Sequence, residues 1–156
     1  MDAIDFKIMS FLGQNSRLSN REIARRIGIA EGTVRNRLDK LIKEGTLRTT
    51  ALTNIESFPE LYIAFVGLKI EGRHLTECAT QIEKLPSVLN TMIVTGRYDL
   101  FVVVLARSHK TLVEFVTDQL SKIPGVKDSE TYVVLRNYSQ WIPVDKLPPS
   151  ILEGSR

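Results

Sequence analysis

Arg35, Arg37, Lys40 and Lys43 recur at spacings that carry cations along one side of a helix, with Thr33 and Asn36 set among them. Guanidinium and ammonium groups recognise phosphate, and hydroxyl and carboxamide groups read base edges, so this combination has the chemistry of a nucleic-acid contact. Ser19, Asn20 and Arg21 stand at an expected helix start, where unpaired amides favour an anion. A third group, Gly96-Arg97-Tyr98-Asp99, joins two apolar runs. Its plainest reading is a tight hairpin in which Gly96 takes a positive φ. Exposed amides around Gly96 can also receive a carboxylate and Asp99 an ammonium, the two charged ends of an α-amino acid.

Other chemistry is poorly represented. There is no Gly-x-Ser-x-Gly elbow, phosphate-binding glycine loop or His-Glu-x-x-His, and the only cysteine is Cys78. His74 and His109 stand 35 residues apart without cysteine neighbours, which leaves no zinc-ligand spacing. Neither an enzyme nor a metal or other cofactor is expected. No apolar run reaches the roughly 18 residues that suggest a membrane span, and Met1-Asp2-Ala3-Ile4-Asp5 lacks the basic start of a secretory signal. A cytoplasmic protein without a membrane partner is expected. The net charge of +3 is uneven: residues 1–50 hold 10 Lys/Arg against 6 Asp/Glu, and the remainder 11 against 12. A basic head on a near-neutral body suits a polyanionic partner.

The elements that would position these groups follow from apolar periodicity. Ile4, Ile8, Phe11 and Leu12 mark one face of a helix over residues 2–13. Ser19-x-x-Glu22 has the form of a capping box opening a second helix that buries Ile23, Ala24 and Ile27, and Gly28 breaks it. A third helix over about 31–44 buries Val34, Leu38, Leu41 and Ile42 and stops at Gly45. Three short helices turning at Gly28-Ile29 have the pattern of a helix-turn-helix, against the plainer alternative of a three-helix bundle. At about 100° per residue the buried set leaves Gly32, Thr33, Asn36, Lys40 and Lys43 outward, with Arg35 and Arg37 flanking them. Glu31, Gly32, Thr33 and Asn36 lie toward the end of the helix that approaches base edges.

Residues 1–50 therefore form a head, 51–60 an extended linker strand, 61–138 a second domain and 139–156 a tail. Within the second domain two units repeat: an apolar strand (Leu61–Leu68, then Leu100–Leu105), an amphipathic helix, and a proline corner at Pro86 or Pro124, 38 residues apart. The repeat reads as βαββαβ, a ferredoxin-like α+β arrangement with helices on one sheet face. The strands are apolar on both faces, so the other face needs cover. A homodimer, sheet against sheet, is the simplest cover; the alternative is the tail, through Tyr138, Trp141 and Ile142.

The order of Ile4-Asp5, Leu18-Ser19-Asn20-Arg21-Glu22-Ile23-Ala24, Thr33-Val34-Arg35-Asn36-Arg37-Leu38 and Leu41-Ile42-Lys43-Glu44-Gly45 resembles the Lrp/AsnC, or feast-and-famine, family of regulators. Thr95–Leu100, Pro124-Gly125-Val126 and Thr131–Leu135 extend the resemblance through the second domain. The resemblance implies a winged-type helix-turn-helix that binds double-stranded DNA and a ligand-sensing (RAM) domain. It also implies homodimers, often assembled four to a ring as an octamer. It points to the loop Gly96, Arg97, Tyr98 and Asp99 for an effector, expected to be an amino acid or a related small molecule, with Tyr98, Leu100, His109, Thr131 and Val133 as candidates for the pocket where dimers meet. Ala30 stands where relatives often carry a serine cap, and Thr46-Leu47 replaces a more apolar pair. The tail from Ser139 lies past the resemblance and reads equally as an extension, a partner contact or, in its last residues, an artificial appendage. Siroheme decarboxylases share the two-domain architecture, which keeps a tetrapyrrole-processing enzyme as the alternative.

Overall fold

The computed structural model describes residues 1–72 and 74–153. The chain divides into two compact units, Met1–Thr50 and Ala51–Arg156.

The first unit is built from α1 (Ala3–Gln14), α2 (Asn20–Ile27) and α3 (Glu31–Lys43). Asp2 caps α1 by accepting from the amides of Ile4 and Asp5, and the Asp5 carboxylate accepts from the Asp2 amide in return. Ser19 caps α2 through its hydroxyl oxygen, which accepts from the Glu22 amide at 3.2 Å. The expected box is only half made, because the Glu22 carboxylate is held by Arg25 and Arg26 at 2.7 and 2.9 Å. Gly28 ends α2 in the left-handed region at φ 81°. After α3, the Thr46 amide donates to the Leu41 carbonyl and the Gly45 amide to that of Ile42, with Gly45 at φ 69°. This is a Schellman stop, which glycine accommodates without Cβ strain. Ile8, Ile23, Ala24 and Val34 form the core, with Phe11, Leu18, Ile29 and Leu38 packed around them. Ile42 departs from expectation at 45% exposed. It lies about 80° around the helix from Val34, at the margin of the buried stripe and in its last turn.

In the second unit β1 (Leu52–Asn54) and a 3-10 turn (Ile55–Ser57) precede β2 (Tyr62–Ile70), α4 (Leu75–Glu83), β3 (Val88–Ile93) and β4 (Leu100–Ala106). α5 (His109–Glu114) continues as a π-helical turn at Phe115–Gln119 and a 3-10 turn at Leu120–Lys122, and is followed by β5 (Val126–Val133). The four-stranded sheet has the order β3-β4-β2-β5 with every pair antiparallel, the βαββαβ topology. Alternation sends Ala64, Val66 and Leu68 of β2 and Leu100, Val102 and Val104 of β4 into a core with Cys78, Ile82, Leu112 and Phe115 of the helices.

The opposite face is covered at one end by the chain's own tail. β6 (Trp141–Pro143) pairs antiparallel with β1, and α6 (Pro149–Leu152) follows. Ile142 and Leu147 pack with Ile55 and Leu61 against Ile63 and Leu105 of the sheet. The dimer expected as the simplest cover is thus not the sole cover: the tail reading holds for Ile142, while Trp141 and Tyr138 stay exposed. The linker expected as a strand over 51–60 is extended only through β1 before it turns at Ile55. Of the tail, residues 154–156 lie outside the described residues.

Candidate DNA interface and effector loop

On α3, Glu31, Gly32, Thr33, Arg35, Asn36 and Lys40 are exposed, and Val34, Leu38 and Leu41 hold the helix against the unit from beneath. Two of the cations have weak local partners: Arg35 meets Glu31 at 3.3 Å and Lys40 meets Glu44 at 3.9 Å. Exposed pairs of this kind exchange readily for a phosphate. Ala30 precedes α3 without a side-chain cap. At the start of α2, Ser19 and Arg21 are exposed and Asn20 is half-buried. Hydrogen bonds from Arg25 and then Arg26 pull the Glu22 carboxyl from its ordinary 4.5 down to about 2.

Arg37 differs from its neighbours. It is half-buried, and its Nη1 donates to Asp2 Oδ2 at 2.7 Å and to Asp5 Oδ1 at 2.9 Å. The expected placement of Arg37 as an outward flank beside Arg35 is corrected accordingly, because its guanidinium turns back to the first turn of α1. Asp2, Asp5, Thr33, Asn36, Arg37 and Lys40, with Met1, border one polar hollow of about 530 Å3. Sequence reading missed the two aspartates. The available signal was Asp2-x-x-Asp5 at a helix start, with Asp5 between apolar Ile4 and Ile8 on a face where a charge needs a partner.

The loop between β3 and β4 is wider than a tight hairpin and runs from Val94 to Asp99, closed by the Val94 amide donating to the Asp99 carbonyl at 3.0 Å. Gly96 has φ 120° with open space around it. Asp99 is already in use: Oδ2 accepts from the Ile70 amide at 2.9 Å, and Oδ1 lies 3.7 Å from Lys69 Nζ. Tyr98 is buried against Gly67, where an added Cβ would fall 2.7 Å from the ring, and its hydroxyl meets that of Tyr132 at 3.2 Å. The Arg97 guanidinium stands 5.4 Å from the Tyr98 ring centre and pairs with Glu130 at 3.2 Å.

The remaining effector candidates do not join this loop within one chain. Leu100 is fully buried in the helix-side core, so its inclusion as a pocket wall is corrected. Thr131 and Val133 pair with Val66 and Ala64 and share their helix-side orientation, whereas Tyr98 lies on the opposite face with Gly67. His109 is exposed past the far end of β4. The strand between it and the loop spans about 20 Å.

Residues 63–142 match the family of Lrp/AsnC ligand binding domains, and residues 1–48 match winged helix-turn-helix DNA-binding domains. The chain belongs to the Lrp/AsnC family. An uncharacterized HTH-type transcriptional regulator of Pyrococcus abyssi is 35% identical over 143 residues, covering 90% of this chain and 89% of the relative. The leucine response regulatory protein LrpA of Mycobacterium tuberculosis shares the fold with a TM-score of 0.77 at 21% identity, over 90% of this chain and 96% of that one. The transcriptional regulator NMB0573 of Neisseria meningitidis, solved in complex with L-Met, aligns with a TM-score of 0.68 at 28% identity, over 97% and 99% of the two chains. This Lrp/AsnC chain is accordingly a transcriptional regulator with a helix-turn-helix DNA-binding head and a ligand-binding domain. These relatives are regulators, and they lend the tetrapyrrole alternative no support. Among the described residues no helix is long and apolar enough to cross a membrane.

Proposed function

We propose that this regulator binds duplex DNA sequence-specifically through α3, and that a free amino acid modulates its DNA binding or its assembly. The observation that carries the first part is the exposed face of α3. It carries Thr33 and Asn36, which can read base edges, together with Lys40 and, at its margin, Arg35, which can neutralise phosphates. Ser19, Asn20 and Arg21 at the start of α2 serve as further phosphate contacts, and Glu31 and Gly32 approach the bases with Thr33. The second part draws on the L-Met complex of the Neisseria regulator and on the chemistry of the Val94–Asp99 loop. Gly96 and its neighbours would receive the carboxylate, and Asp99 the ammonium.

His109, Thr131 and Val133 enter that site only from another copy of the chain, because a single chain does not gather them. The effector pocket therefore depends on assembly, first to a homodimer and then to a ring of dimers. Effector binding coupled to assembly gives a ligand differential affinity for two states, which regulation requires.

Calorimetric titration of free amino acids, L-Met first, into wild type and Asp99→Asn tests the effector reading. Asparagine keeps an acceptor for the Ile70 amide while removing the charge and one acceptor oxygen. Binding to wild type that Asp99→Asn abolishes is expected; equal binding by both, or none by wild type, defeats the assignment. For the head, Asn36→Ala should change preference among duplex sequences by about 1–3 kcal/mol. Arg35→Ala should instead weaken all duplexes and lower the steepness of the salt dependence.

A further inference from the structure

The first residues of the chain and the middle of α3 form one hydrogen-bonded cluster. Arg37 Nη1 donates to both Asp2 and Asp5, the Asp2 amide donates to Asp5 Oδ2 at 2.9 Å, and Asp2 Oδ1 accepts from the amides of Ile4 and Asp5. Asp5 is 9% exposed, the one buried charged residue among those described. The bond from Arg37 holds the Asp2 carboxyl below the ordinary range; for Asp5 the Asp2 amide acts first and Arg37 second.

We propose that Arg37 is a positioning residue that pins α3 to the start of α1 through Asp2 and Asp5, and so fixes how Thr33 and Asn36 meet the bases. This rests on the reading of α3 as the DNA-contacting helix. Two physical costs oppose the alternative in which Arg37 leaves to bind a phosphate. Departure strips a buried carboxylate of its cation, which is far costlier than breaking an exposed pair. It also leaves two carboxylates beside the incoming phosphate, with like charges facing each other. Arg35 and Lys40 do not face the first cost, since their acidic partners are exposed, and each would leave a single solvated carboxylate rather than two. Asp2, Thr33 and Asn36 border the same hollow, so a shift of the chain's start is felt where sequence is read.

The two roles predict opposite signs for removal of an aspartate. If Arg37 serves phosphate, Asp5→Asn frees it and binding tightens; if Arg37 positions α3, Asp5→Asn loosens the helix and operator preference falls. The experiment uses the full chain, an operator selected from a random duplex pool by wild type, and an unrelated duplex, with affinity measured across a salt series. For Arg37→Met and Asp5→Asn the expected result is about a tenfold loss on the operator, the scale of one weakened base contact, with no change in salt slope. Affinity for the unrelated duplex should stay level. A salt slope reduced by about 0.9 on both duplexes in Arg37→Met, or tighter binding in Asp5→Asn, overturns the inference. Should either variant fail to fold, Asp2→Asn carries the test, because asparagine caps a helix as well as aspartate. There a smaller loss of operator preference supports the inference, and tightening on both duplexes overturns it. Wild type with no salt-dependent duplex binding would instead defeat the reading of α3 itself, and the inference with it.

Discussion

Ala30 opens α3 with extended backbone angles and no side chain able to cap it; its carbonyl accepts from the amides of Thr33 and Val34. A serine at this position would add a hydroxyl acceptor for the Gly32 or Thr33 amide. Replacing a capable cap by alanine costs helices about 1 kcal/mol, so Ala30→Ser is expected to stabilise the chain by a similar amount. Urea unfolding followed by circular dichroism measures the gain, and an unchanged midpoint would show that the helix start is held by other means. Glu22 illustrates the limit of reading residues singly. Its spacing from Ser19 marked the start of α2 correctly, but two arginines in the next turn outcompete the Ser19 amide for its carboxylate.

At the scale of elements, the tail turns from an unread extension into a working part of the second unit. β6 holds β1 by strand pairing, and the Val144 amide donates to the Ala51 carbonyl at 3.0 Å, so the tail secures the stretch that leaves the head. Ile142 is 1% exposed at the centre of this packing. Truncating a buried isoleucine to alanine costs about 2–5 kcal/mol through lost burial and the cavity left behind. Ile142→Ala should therefore lower stability by that amount in chemical unfolding; a loss below about 0.5 kcal/mol, typical of surface sites, would show the tail to be loosely docked. The break in α5 also belongs to this scale. The amphipathic helix expected after the second apolar strand is not one regular element: the Thr117 hydroxyl donates to the Val113 carbonyl where the π-helical turn falls. Such back-bonding competes with the regular ladder.

For the whole molecule, the sheet face away from the helices remains open beyond the tail. Phe65 is 39% and Tyr132 44% exposed there, beside Tyr98 and Phe101. Aromatic side chains clustered on an open face mark association surfaces. A second copy laid on this face would bury them, and the expected state is a dimer or a multiple of it. Light scattering on the eluting protein should give at least twice the chain mass of 17.6 kDa. Phe65→Lys, which places a charge in the middle strand of that patch, should shift the population toward monomer. A wild-type monomer at micromolar concentration would contradict the assembly and, with it, an effector pocket shared between copies.

The sequence by itself determined the three head helices, the glycine stops of the second and third, and the βαββαβ repeat. Each depends on local periodicity or on a backbone angle that a glycine at positions such as 28 and 45 supplies, and both are written along the chain. It also determined that Thr33, Arg35, Asn36 and Lys40 are exposed, because burying Val34, Leu38 and Leu41 leaves them outside by helix geometry alone. Tertiary structure decided what depends on residues far apart in sequence. Arg37 and Asp5 are 32 positions apart and meet only once α1 and α3 pack. Ile142 finds Ile63 and Leu105 only after the tail crosses the sheet. Leu100 and Tyr98 stand two residues apart, a spacing that would share one face in an unbroken strand, yet Tyr98 belongs to the loop before β4 and turns against Gly67 while Leu100 enters the core. Side-chain chemistry proposes partners, but the geometry of packing chooses among them.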